Sequence, residues 1–150
     1  MGWTSFHDRQ TGLSLLYPKD WKASRTSGVI EVRATAPADD GAFARLAVGP
    51  SLPGMSPARA VPILAAPAES RFQPRTSGSL GTADLPAGTA VLVTFEGKDV
   101  VDGVVKQVRV YLLLQPDRTV VLTLASAPKA AAGLRRVLDR IAGSLQAGAG

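Results

Sequence analysis

Two neighbouring stretches constrain this chain most, residues 104–115 (VVKQVRVYLLLQ) and 119–125 (TVVLTLA). The first alternates apolar and polar residues and then becomes apolar at consecutive positions. The second is apolar at nearly every position. Both have strand length and β-branched composition. A strand that is apolar on both faces has to be covered on both faces. Pro116-Asp117 between them is a turn, so the two strands run antiparallel.

Other segments extend the sheet. Thr11–Tyr17 places Leu13, Leu15 and Tyr17 on one face of a strand. A turn at Pro18-Lys19-Asp20 follows, and Trp21 returns the chain to the core. Residues 28–35 alternate cleanly, with Ile30, Val32 and Ala34 inward and Glu31, Arg33 and Thr35 outward. Asp39-Asp40-Gly41 reads as a hairpin connection to a strand marked by Ala44, Leu46 and Val48. Residues 78–83 form a short strand, and 89–96 a longer one with Val91, Val93 and Phe95 inward. Asp102-Gly103 is a second hairpin signal. Residues 1–10 read as a lead-in.

Two segments carry helical periodicity. In 129–146, Leu134, Val137, Leu138, Ile141 and Leu145 make one apolar stripe; Pro128 suits its start and Gly148 its end. In 57–72, Ser56-Pro57 is a start signal, with serine as the N-cap. Val61, Leu64, Ala68 and Phe72 recur at helical spacing. Pro62 and Pro67 each cost about 3 kcal/mol in a helix interior, so a short, kinked or broken helix is expected there. Hairpin-linked strands with helices on both faces give an α+β chain, an antiparallel sheet in an α/β/α sandwich. One domain is expected over residues 1–150, with its core at about 5–147.

Composition limits the chemistry. The chain has no cysteine and one histidine, His7. Thiol catalysis, disulfides and zinc ribbons are excluded, and no site can hold several histidines from one chain. The longest apolar runs, such as Tyr111–Leu114, fall far below the ~20 residues that span a bilayer. The opening residues Met1–His7 lack the basic and apolar regions of a signal peptide. Cytoplasmic and exported readings, the latter with a leader removed, both stand.

The net charge is +5, and 12 of the 17 cations are arginine. They are dispersed, nine among residues 1–75 and eight among 76–150. A nucleic-acid binder shows a denser basic stripe, so nucleic acid is disfavoured as a partner. The one local excess, with Arg135, Arg136 and Arg140, is a candidate anionic-partner face set against an ordinary wet helix face. Trp3 and Phe6 are aromatics in a polar segment, candidates for a partner contact or for docking on the sheet. His7 reads as solvent-exposed. Glu96, Asp99 and Asp102 bracket a predicted hairpin with Lys98 among them, and read as a charged loop rather than a cation site. Gly78-Ser79-Leu80-Gly81 lacks nucleophile-elbow spacing, and Gly97-Lys98 lacks the upstream glycine of a phosphate loop. No catalytic residue, metal ligand or cofactor is assigned.

The order of these pieces resembles the PsbP/Mog1-like superfamily. Gly12-Leu13-Ser14-Leu15-Leu16-Tyr17-Pro18-Lys19-Asp20-Trp21 looks like its opening G-x-S-x-x-Y-P-x-x-W signature. The ending is similar too: a long strand, a turn at Pro116-Asp117, the strand through Thr123-Leu124-Ala125, then a helix closing with Ile141-Ala142-Gly143-Ser144-Leu145. Leu145 stands where the family often has an aromatic. The resemblance implies a mostly non-enzymatic fold whose members differ in partners. They include photosystem II extrinsic subunits, a regulator of the Ran GTPase, bacterial lipoproteins and chaperones of secretion effectors. The chain lacks the long N-terminal arm of the plant photosystem subunit and the acidic surface of the Ran regulator. The expected function is therefore a non-catalytic binding or accessory role toward a protein partner, as monomer or homodimer. The alternatives are a chaperone cradling apolar helices of effectors, or a binder of anionic surfaces, nucleic acid or lipid.

Overall fold

A computed structural model of the protein describes residues 2–26, 28–129 and 132–146. Ten strands and two α-helices follow one another: β1 (Trp3–His7), β2 (Ser14–Pro18), β3 (Lys22–Thr26), β4 (Val29–Arg33), β5 (Phe43–Gly49), α1 (Pro57–Arg71), β6 (Phe72–Arg75), β7 (Ser79–Leu85), β8 (Gly88–Asp99), β9 (Val105–Leu114), β10 (Thr119–Ser126) and α2 (Ala132–Ser144). Eight strands form one antiparallel sheet in the order β3-β4-β5-β10-β9-β8-β6, with β7 also paired to β8. β1 and β2 make a separate two-stranded sheet.

The two-sided strands are covered as their sequence demands. On β9, Tyr111 and Leu113 pack into a core with Leu138, Ile141 and Leu145 of the α2 segment. Val108, Val110 and Leu112, one residue out of phase, pack with Ala60, Leu64 and Ala68 of α1. Alternation along a strand puts these two cores on opposite faces of the sheet. The fold is α+β, with one helix on each face of a large antiparallel sheet. The α2 stripe is buried as read, with Leu134 and Val137 at its margin. Gly148 and the expected core end at 147 lie outside the described residues.

The Asp39-Asp40-Gly41 segment is, as expected, the hairpin connection between antiparallel β4 and β5; it is built on a 3-10 turn, Pro37–Asp39, closed by Asp40 and Gly41 with φ of 46° and 70°. Two expectations need correction. The lead-in is a strand: β1 pairs residue by residue with β2, from Trp3↔Pro18 to His7↔Ser14. The segment with two internal prolines is one continuous helix of 15 residues, not a broken one.

Packing and composition explain that last result. Five of its residues are alanine, the best helix former. Ala60, Leu64, Ala65 and Ala68 are buried against the sheet, whereas Pro62 and Pro67 occupy exposed positions. The carbonyls of Ala58 and Ile63, which lose their amide donors, lie on the same outer side, where water reaches them. Ser56 occupies the N-cap position, but its side chain makes no capping bond. Pro62→Ala is expected to raise the free energy of unfolding by about 1–2 kcal/mol. The gain in helix propensity exceeds the added freedom of the unfolded chain. Urea denaturation of the two proteins checks the sign.

Candidate functional site

α1 lies over β6, β8, β9 and β10. On its side of the sheet, the faces of β3 and β4 and the outer part of β5 carry no covering element among the described residues. Lys22, Ser24 and Thr26 there are exposed, and Val29, Glu31, Arg33, Arg45 and Ala47 are half-buried. Two features occupy this side: an ion-pair cluster at one end and an apolar cleft beside α1.

The cluster joins six side chains from four elements and a hairpin. Asp99, fully buried at the end of β8, receives four donors. Lys106 Nζ donates to its Oδ2 at 2.7 Å, and the backbone N–H of Val101 donates to Oδ1 at 3.0 Å. Arg71 donates from Nε to Oδ1 at 3.2 Å and from Nη2 to Oδ2 at 3.3 Å. Lys106 is equally buried and also donates to Asp102 at 2.6 Å. Arg71 reaches Glu31 at 2.7 Å and stacks 4.0 Å from the Phe43 ring centroid. Arg33 contacts Glu31 at 3.4 Å and Asp102 at 3.8 Å.

Three cations thus meet three carboxylates, so the cluster is neutral and leaves no free acid for a metal. Burial alone would raise the Asp99 carboxyl; the hydrogen bonds from Lys106, Arg71 and Val101 outweigh it and hold it below the usual aspartate range. Gly41 closes over the group, and a Cβ there would stand 2.5 Å from Asp102 Oδ2. The sequence reading of Glu96, Asp99 and Asp102 as one charged loop is corrected here. Glu96 and Lys98 are exposed, while Asp99 is a fully buried anchor. The missed residue is Lys106. It shares the strand parity of buried Val108, Val110 and Leu112, and that spacing is the signal that marks it as buried.

The cleft has a volume of about 240 Å³. Its wall is Ile63, Leu64, Pro67 and Ala68 of α1; its floor is Val29, Arg45, Ala47, Val121 and Thr123 of β4, β5 and β10. Ile63 is 49% exposed, so apolar surface continues over its rim. Arg45 is the only charged residue in the lining. It stands between Glu31 on β4 and Thr123 on β10 in the strand register.

The residues singled out in the sequence lie on the opposite face. Trp3 and Phe6 are half-buried and pack against the core under α2. The Arg140 guanidinium sits 4.3 Å from the Trp3 ring centroid. Arg135 donates to the Pro128 carbonyl at 2.8 Å. Arg136 is exposed on the same helix. The structure therefore joins Trp3 to Arg140 and separates both from the cleft. His7 is exposed beside Ser5, Ser14 and Ser144, with no hydrogen-bond partner among the described residues. Among the described residues no group of three or more histidine, aspartate or glutamate side chains is arranged to hold a metal ion.

No protein-family model and no curated protein sequence matches the chain. Solved structures do. The chain is similar to cyanobacterial PsbP (CyanoP) from Synechocystis sp. PCC 6803, with a TM-score of 0.60 at 16% identity over 97% of this chain and 92% of that one. LpqN of Mycobacterium tuberculosis, a protein involved in cell envelope biogenesis, gives a TM-score of 0.58 at 15% identity over 97% and 90% of the two chains. A protein of Bacteroides thetaiotaomicron VPI-5482 gives 0.59 at 13% identity; the match covers 95% of this chain but 47% of that one. At such identities the likeness is one of architecture. Together with the sheet order and the helix on each face, it shows a PsbP-like fold.

Proposed function

We propose that the protein is a non-catalytic binding or accessory module that engages a protein partner through the uncovered part of its sheet beside α1. The carrying observation is the cleft between α1 and β5, open and continuous with exposed Ile63. Exposed apolar surface rimmed by polar residues is where proteins meet partners. The fold supports the same reading, since PsbP-like domains act mainly by binding, although fold alone does not assign a function. Glu31, Arg33, Arg71, Asp99, Asp102 and Lys106 pair with one another as structural ion pairs. An effector helix about 10 Å wide would need a longer apolar groove than this one. The arginines of α2 form no shared pocket, because Arg135 and Arg140 have partners within the chain.

The test is capture of the partner from the source cells by three proteins: the parent, Ile63→Asp, and Arg135→Glu/Arg136→Glu/Arg140→Glu. The reading expects Ile63→Asp to lose at least ten-fold in capture while the triple variant retains it. The reverse pattern overturns it and moves the interface to α2.

A further inference from the structure

Arg45 is the half-buried cation on this side of the sheet that has no partner among the described residues; Lys22, also unpaired, stands in solvent on the edge strand. The neighbour of Arg45 in register, Glu31, is within ion-pair distance of Arg71 and Arg33 instead. No hydrogen bond, ion pair or ring contact to the Arg45 side chain exists among the described residues. Next to it in register on the other side is Thr123, only 3% exposed, whose hydroxyl likewise has no partner among the described residues. A half-buried guanidinium without a counter-ion carries a desolvation cost, and the Thr123 oxygen, open to the cleft, is available to whatever enters it. They stand side by side in the floor of a cleft whose remaining lining is apolar or backbone-rich.

Resting on the protein-binding reading above, we infer that the cleft recognises a carboxylate side chain flanked by aliphatic residues on the partner. Arg45 forks onto the carboxylate, and the Thr123 hydroxyl donates a further hydrogen bond. The aliphatic neighbours fill the space between Ile63, Pro67 and Val29. Charge decides the sign of the ligand. The nearby ion-pair cluster holds three cations and three anions, so the field in the cleft is set by Arg45. Shape decides its source. The cleft is small, open along the β4 side and continuous with a wider exposed face, which suits a residue of a longer chain better than a free acyl chain that needs enclosing.

The experiment is selection of a random dodecamer peptide library on the intact protein, followed by titration of one synthetic winner and its Glu-to-Gln (or Asp-to-Asn) counterpart by NMR. The expected result is enrichment of an acidic residue between Leu, Ile or Val. Amide shifts should fall at Val29, Ala47 and Thr123. Affinity should drop at least ten-fold for the neutral peptide, and equally for Arg45→Met with the acidic peptide. Arg45 has no partner to lose, so Arg45→Met keeps the parent melting temperature, and a fall in binding then reports recognition. Thr123→Val loses less. Winners without an acidic residue, or equal binding by Arg45→Met, overturn the inference. So does octanoate binding in the cleft more tightly than the peptide, which would make it a site for a free acid. In each of these cases the protein-binding reading is tested separately by Ile63→Asp capture, which does not depend on the charge at Arg45.

Discussion

Asp99→Ala is expected to lower the free energy of unfolding by about 3–5 kcal/mol, the range for breaking a buried ion pair from one side. The reason is what remains. Lys106 is fully buried and loses its 2.7 Å partner, keeping only Asp102 near the surface. Arg71 loses both bonds that tie the end of α1 to β8. Removing both central charges, as Asp99→Leu/Lys106→Met, is expected to recover most of the loss. Arg71 then keeps Glu31, and Asp102 keeps Arg33 and water. Urea denaturation of the three proteins at pH 7 checks this, and a loss below about 1 kcal/mol for Asp99→Ala would show a solvated cluster.

The same carboxylate sets a pH dependence. Asp99 is held below its ordinary value in the folded protein. Its contribution is complete above the unfolded-state value of about 4 and is lost as pH falls through the lower folded value. Asp8 acts in the same direction. The Thr11 hydroxyl lowers it most, against burial, with help from the Gln10 amide and Arg25. Stability should therefore be flat from pH 7 to about 5 and fall steeply below. Asp99→Ala, already destabilised at neutral pH, should show a shallower acid slope.

Phe72→Ala is expected to cost about 3–5 kcal/mol by loss of burial and creation of a cavity. Phe72 is fully buried where α1 passes into β6. It stacks on Phe43 at 6.3 Å and meets the edge of Phe95 at 5.7 Å. The packing cannot close easily, because β8 already approaches at its nearest. A Cβ on Gly97 would lie 2.7 Å from Phe72 Cβ. The urea midpoint should fall with an unchanged slope, and Phe72→Leu should lose much less. Since Phe72 holds the end of the helix that walls the cleft, Phe72→Ala should also weaken partner capture.

Much of this architecture is legible in the residues. Consecutive apolar positions in β9 and β10 demand cover on two faces, and the α2 stripe supplies one of the covers. The strands that escaped reading are those whose stability comes from elsewhere. β3 is an edge strand with four exposed residues of five, so its composition carries little period-2 signal. β1 is held by β2 and by aromatics that reach the α2 core, contacts remote in sequence. The continuity of α1 went against its prolines because burial of Leu64 and its alanine neighbours outweighs two missing backbone bonds. The cleft was half legible. Arg45 alternates with Ala44 and Leu46, so it faces away from their core. That it faces a cleft follows only from where α1 rests, which no local pattern encodes. Of the aromatic and arginine residues picked out in the sequence, Trp3 and Arg140 proved to be partners on the α2 side.

The central claim is that the uncovered sheet beside α1, and not the arginine face of α2, meets the partner. The most direct measurement places a photo-crosslinking amino acid at position 63 and, in a second protein, at position 136, and illuminates both in the source cells. The account predicts a discrete adduct from position 63 that is absent from position 136. An adduct from position 136 alone would contradict it.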